Sequence, residues 1–168
     1  ALDAGATRVE VKLREHGLRA VEVTDNGSGI SNYEGLTAKY HTSKLAVFED
    51  LMAVRSFGFR GEAMSSLCEL AGGIEVTTRT KGQPMATKIA YGRSGQLLSQ
   101  APAAHHVGTT VSVADLFAPL PVRRQEFQRN IKRQYSRMLG VLQAYALIAT
   151  GVRLNVSNVS GKKAAKQQ

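Results

Sequence analysis

A chain of 168 residues has room for one domain with a substantial core, and its hydrophobic share of 43% is ordinary for a globular protein. No run of about 18 apolar residues occurs, and no basic stretch leads into an apolar one, so the sequence offers neither a membrane span nor a secretory signal and reads as intracellular. Twenty-two Lys/Arg against 13 Asp/Glu give a net charge of +9, which points to a polyanionic partner, nucleic acid first. The single cysteine, Cys68, excludes an internal disulfide and a cysteine cluster for zinc. Flanked by Leu67 and Leu70, it reads as a buried structural thiol.

Residues 1–5 have the composition of a helix end, with Gly5 as its C-cap. Arg8–Leu13 and Val21–Thr24 alternate polar and apolar residues on either side of a turn at Gly17, which predicts a β-hairpin. Asp25-Asn26-Gly27-Ser28-Gly29 follows, too rich in turn formers to extend strand or helix. A short helix is predicted over 32–40 and another apolar-periodic stretch around 48–51, separated by the polar loop that Thr42-Ser43-Lys44 begins. Gly58-Phe59-Arg60-Gly61-Glu62-Ala63 then runs into a helix marked by Met64, Leu67 and Leu70 at helical spacing. Strand patterns return at 74–79, 86–91, near 96–99 and at 109–113, and short connections make them antiparallel. From about 123 to 149 the stripe Phe127, Ile131, Tyr135, Met138, Leu142 and Ala146 predicts one long helix behind Pro121. Val152, Leu154 and Val156 alternate in a last strand, and 161–168 has no apolar period and is expected to be disordered.

Three segments could carry chemistry, each with a plainer alternative. Asp25–Gly29 is either a common turn or a strand-end carboxylate that accepts a hydrogen bond from an adenine amino group, with Gly27 and Gly29 letting backbone lie against base and sugar. Gly58–Ala63 is either a flexible connector or a phosphate loop, since paired glycines at a helix mouth present unpaired N–H groups and the positive dipole end. It lacks the Gly-Lys-Ser/Thr ending of a Walker-type loop. Thr42, Ser43 and Lys44 are either a cap beside a solvated lysine or a source of hydroxyls and a cation. His105 and His106 are adjacent and suit no metal arm. His41, beside that loop, reads first as a helix C-terminal cap.

In order, Asp3-Ala4-Gly5-Ala6, Asp25-Asn26-Gly27-Ser28-Gly29, Thr42-Ser43-Lys44, Gly58-Phe59-Arg60-Gly61-Glu62-Ala63 and Gly108-Thr109-Thr110-Val111 resemble the ATP-site motifs of the MutL mismatch-repair proteins. Those belong to the ATPase superfamily shared with gyrase, heat-shock chaperones and histidine kinases. The Gly-Phe-Arg-Gly-Glu-Ala run marks MutL within it. His41–Lys44, Ser65–Cys68 and Leu120–Lys132 look most like the eukaryotic postmeiotic-segregation (PMS) branch. The resemblance implies an α/β (α+β) Bergerat-type fold, a two-layer sandwich of a mixed, largely antiparallel sheet with helices on one face. It implies an ATP-binding domain over 1–151 lacking its N-terminal strand and helix, with the start of a transducer region at 152–160.

Carried over by position, Asp3 and Ala4 belong to the first ATP motif. Asp25 matches the aspartate that reads adenine, with Thr109 supporting it through a water. Gly27 and Gly29 match the glycines that clear space for the nucleotide. Thr42, Ser43, Lys44, Gly58, Phe59, Arg60, Gly61 and Glu62 match the lid over the phosphates, a gate for chemistry and dimerisation. The family's Mg²⁺-binding asparagine falls immediately before Ala1 and its general-base glutamate four residues earlier, so the 168 residues are expected to hold no catalytic or metal residue and not to turn over ATP. Between Val122 and Arg137, six basic residues face one acid. Arg124, Arg129, Lys132, Arg133 and Arg137 are either a solvated face or a sequence-independent contact to double-stranded DNA.

The resemblance further implies a nuclear mismatch-repair protein, pairing with a second MutL homologue and meeting MutS-type proteins, with ATP and Mg²⁺ as cofactors of the intact protein and no membrane partner. The alternative is a non-catalytic, PMS-like interaction module that competes for repair partners.

Overall fold

The computed structural model describes residues 1–38, 57–58 and 61–161. A 3₁₀ turn at Leu2–Ala4, closed by Gly5, opens the chain and leads into strand β1 (Arg8–Arg14). β2 (Ala20–Asp25) returns antiparallel to it, with Val11 opposite Val23, so the expected hairpin is present. After helix α1 (Ala63–Leu70) come β3 (Gly73–Arg79), β4 (Ala86–Tyr91), β5 (Leu97–Ala103) and β6 (Gly108–Ala114), all paired antiparallel. Helices α2 (Pro121–Arg129) and α3 (Ile131–Ile148) then carry the chain to β7 (Arg153–Val159). β7 lies parallel to β1 along its whole length, and the seven strands run β5-β4-β3-β6-β2-β1-β7.

Alternation along the strands sorts the sheet into two faces. Toward the helices, α1 sets Met64, Leu67 and Cys68 on Ile74, Val76, Ile89, Tyr91 and Val113. On the same face α3 lays Tyr135, Met138 and Leu142 over Val9, Val11, Leu13, Leu154 and Val156. The opposite face is polar: Lys12 pairs there with Glu10 at 3.2 Å and Lys88 with Glu75 at 3.0 Å. This is the expected two-layer sandwich, mixed through the single parallel pair. Cys68 is buried, and burial pushes its thiol above the ordinary range.

Two predicted helices are corrected. The helix expected over 32–40 is absent from its described part: 33–37 form turns, with Gly35 N donating to Asn32 Oδ1 at 2.9 Å. Tertiary contacts hold the segment instead: Tyr91 Oη donates to the Tyr33 carbonyl, a group a helix would use, at 2.7 Å, and the Thr37 side chain donates through Oγ1 to the Gly95 carbonyl at 2.7 Å. The long helix over 123–149 is two helices, broken at Asn130 (φ −101°, ψ 12°). Asn130 turns its Nδ2 back onto the Glu126 carbonyl at 3.2 Å, the local competition that makes asparagine a helix breaker. α2 is pinned elsewhere, by Phe127 edge-on to Phe117 and by Arg124 on Asp115 at 2.8 Å, while α3 follows the sheet. That Arg124 hydrogen bond holds the Asp115 carboxyl below the usual carboxylate range. The stretch around 48–51 and residues 162–168 lie outside the described residues.

Burial pushes the Tyr91 phenol up to about 12 from an ordinary 10.0. The neutral phenol is therefore favoured in the folded chain, and its contribution is complete below pH 10 and lost as pH rises from there toward 12. Absorbance titration at 295 nm should show one of the five tyrosines ionising last. Tyr91→Phe should remove that late phase and cost about 1 kcal/mol in urea unfolding, the net worth of a hydrogen bond.

Candidate functional site

The polar end of the inner face lies where β2, β6 and β3 finish side by side. Asp25 closes β2 in register with Thr109 of β6, and Thr109 is in register with Thr78 of β3. All three side chains occupy the apolar phase of their strands, and they are 8%, 6% and 0% exposed. Asp25 Oδ1 accepts from Gly27 N at 2.8 Å, which bends the chain into the glycine loop. Oδ2 accepts no hydrogen bond from the described residues; the amino nitrogen of Ala1 is 3.7 Å away.

Thr78 ties this floor together. Its Oγ1 accepts from Ile30 N at 2.9 Å, lies 3.0 Å from Thr109 Oγ1 and 3.1 Å from the Gly108 carbonyl. One hydroxyl proton serves two acceptors, so two arrangements satisfy it. Either Thr78 donates to Gly108 and Thr109 donates to Thr78, or Thr78 donates to Thr109 and frees the Thr109 proton for the cleft.

The glycine loop closes on the rest of the chain rather than on open space. A Cβ on Gly27 would sit 2.9 Å from Ala4 Cβ, and Ser28 N donates to the Ala4 carbonyl at 3.0 Å. Gly29 has φ +79°, and a Cβ there would lie 2.3 Å from the Arg79 carbonyl oxygen. Both glycines are thus demanded by the fold's own backbone approaches, independently of any ligand. Asn26 locks the loop to β1: Oδ1 accepts from Thr7 N at 2.9 Å and Arg8 N at 2.8 Å, and Nδ2 donates to Thr7 Oγ1 at 2.8 Å. His106 Nε2 lies 3.3 Å from the Asp25 carbonyl and His105 Nε2 lies 2.8 Å from Thr110 Oγ1, so both histidines have local structural partners.

Asp3 joins the first motif to the third segment. Its Oδ1 accepts from Phe57 N at 3.0 Å and its Oδ2 from Gly58 N at 3.1 Å. Gly61 (φ +66°) and Glu62 lead into α1, whose N-terminus has no side-chain cap among the described residues. Thr42, Ser43, Lys44, Phe59 and Arg60, together with His41, lie outside the described residues. The structure therefore brings together Asp3, Ala4, Asp25, Gly27, Gly29, Gly58 and Thr109. On the helices, Arg129, Lys132, Arg133 and Arg137 are exposed, whereas Arg124 is partly buried against Asp115.

Reading the motifs alone misses Thr78 and Asn26. Thr78 does carry a signal, a threonine in the same phase as Ile74 and Val76 where an apolar residue belongs. Asn26 sits inside the motif but reads there as a turn former.

The arrangement is that of the ATPase domains of MutL proteins. Over 94% of this chain, the Aquifex aeolicus MutL ATPase domain complexed with ADP is similar with a TM-score of 0.65 and 28% identity, and 54% of that chain is covered. The N-terminal domain of a DNA repair protein matches 96% of this chain and 46% of its own, with a TM-score of 0.82 and 40% identity. In sequence, the mismatch repair endonuclease pms1 of Dictyostelium discoideum is 51% identical and the human mismatch repair endonuclease PMS2 46% identical, each over 96% of this chain. The chain spans 16% and 19% of the length of those two relatives. No family model matches. The chain belongs to the MutL family of DNA mismatch-repair proteins, on the side of its PMS members.

Replacing Thr78 by valine strands the Ile30 N–H, and urea unfolding should show a loss of about 1–3 kcal/mol, while Thr78→Ser should restore most of it. A loss in Thr78→Ser with none in Thr78→Val would mean that the methyl group, and not the hydroxyl, matters.

Proposed function

We propose that this chain is the nucleotide-binding domain of a mismatch-repair protein and binds ATP or ADP at the ends of β2, β6 and β3. The observation that carries the reading is the buried Asp25, with one oxygen committed to Gly27 and the other free of hydrogen bonds from the described residues, its nearest cation being the Ala1 amino group in an ion pair at 3.7 Å. A carboxylate so placed accepts the amino N–H of adenine, and a site built to do so disfavours bases that lack that donor. The Aquifex MutL neighbour complexed with ADP supports the ligand class. Thr109 stands beside Asp25 to support the contact. The mouth of α1, without a side-chain cap among the described residues and preceded by Gly58, Gly61 and Glu62, suits the phosphates. Thr42, Ser43, Lys44, Phe59 and Arg60 complete that lid by resemblance.

Magnesium fits less well. Among the described residues no group of three His, Cys, Asp or Glu could hold a metal, and both Asp3 oxygens are occupied by backbone amides.

In the whole protein, nucleotide binding would switch dimerisation with a second MutL homologue and assembly with MutS-type proteins on DNA, in the nucleus. The exposed Arg129, Lys132, Arg133 and Arg137 and the net charge of +9 support contact with the DNA backbone without base readout.

Asp25→Asn keeps the acceptor for Gly27 but sets an N–H against the adenine amino group. Calorimetry with ADP should show affinity reduced about 10- to 100-fold, the range for a missing hydrogen bond to a charged group. Unchanged affinity would remove Asp25 from the site. Replacing Arg129, Lys132, Arg133 and Arg137 by glutamine should lower the slope of log K against log salt for duplex DNA by about 0.9 for each phosphate that is no longer neutralised. An unchanged slope would return those side chains to ordinary solvated surface.

A further inference from the structure

On the outer sheet face, behind the glycine loop, two arginines stand side by side. Arg8 of β1 and Arg153 of β7 are direct partners in the parallel pair, and Arg153 N donates to the Thr7 carbonyl at 2.9 Å. Their neighbours Val9 and Leu154 turn toward α3, so both guanidinium groups leave from the opposite, solvent face. Like charges facing each other across neighbouring strands destabilise a sheet unless something neutralises them. Elsewhere on this face the chain supplies the neutralising acid, as at Lys12 with Glu10 and Lys88 with Glu75. Arg8 and Arg153 have no acidic partner among the described residues, and Glu10, the nearest acid along β1, is engaged by Lys12 at 3.2 Å.

The two arginines line an open surface depression whose remaining wall is Thr7, Asn26, Gly151 and Val152. That lining contains no carboxylate and is rich in donors. Thr7 Oγ1 accepts from Asn26 Nδ2 at 2.8 Å, which leaves its own proton available outward. Asn26 is fixed in turn by the Thr7 and Arg8 amides. Paired planar guanidinium forks beside a hydroxyl donor match the oxygens of a phosphate group better than a single carboxylate.

We propose that Arg8, Arg153 and Thr7 form a phosphate-binding site on the outer face of the sheet, separate from the nucleotide cleft on the inner face and backed by Asn26. Its ligand is a phosphate group, supplied either by the backbone of duplex DNA or by the phosphate tail of a free nucleotide.

Titration of the ¹⁵N-labelled chain with inorganic pyrophosphate should give saturable shifts of the Thr7, Arg8, Asn26 and Arg153 amides. R8Q/R153Q should abolish those shifts, while D25N should leave them in place, which separates this site from the nucleotide cleft. In low-salt, phosphate-free buffer R8Q/R153Q should melt no lower than the parent, since it removes a repulsion. A second arm distinguishes the sources. If R8Q/R153Q also lowers the salt slope for a 20-base-pair duplex by about one to two, the phosphate is that of DNA; an unchanged slope assigns the site to a free nucleotide or polyphosphate. Amides that do not move in the parent chain, or that move equally in R8Q/R153Q, would overturn the site.

Discussion

Everything proposed for the inner face depends on one carboxylate buried at a strand end without a full set of partners. Burying a charge is costly unless partners meet it, and hydrogen bonds from the described residues meet only Oδ1 of Asp25, Oδ2 having the Ala1 amino group as an ion-pair partner at 3.7 Å. The Gly27 amide takes one oxygen, and the strand register brings Thr109 alongside. Thr78 braces Thr109 from the next strand and the loop from below through Ile30. A floor built this way is stiff and presents a single defined acceptor, which is what recognition of one N–H requires.

The two hydrophobic clusters explain why the cleft falls where it does. α1 covers β3 and β4 while α3 covers β1 and β7, and Val21 of β2 touches both clusters. At the ends of the central strands the apolar phase switches to Thr78, Thr109 and Asp25, so polarity is introduced without any change of register. The β1–β2 turn fastens the other end of the sheet. Glu15 and His16 both adopt positive φ there, and the chain supports them with bonds to Gly161 and Asn158 and with an edge-on contact between His16 and Tyr135. The site and this strained turn thus occupy opposite ends of β1, which the α3 contacts hold in place between them.

Much of the architecture was legible in the residues because period-2 alternation is a local signal. The β1–β2 hairpin, the antiparallel run from β3 to β6 and the last strand all follow from it. What was not legible depends on distant partners. The break at Asn130 is invisible to an apolar stripe that keeps its spacing across the kink, because Phe127 packs on Phe117 while Tyr135 packs on the sheet. The missing helix after Asn32 reflects Tyr91 and Gly95, more than fifty residues away, claiming Tyr33 and Thr37. In the site, Asp25 and Thr109 stood out by motif. Thr78 did not, since its role appears only when three strands are laid in register. The glycines were legible as necessary, but the backbones of Ala4 and Arg79 supply a reason for them before any nucleotide does.

ADP and inosine diphosphate, compared in one calorimetric series, report on base reading by Asp25, because the two differ at the position that would face it. An amino donor there should bind at least about tenfold more tightly than a carbonyl oxygen, which would meet the carboxylate acceptor to acceptor. Equal affinities would mean that the buried carboxylate does not read the base.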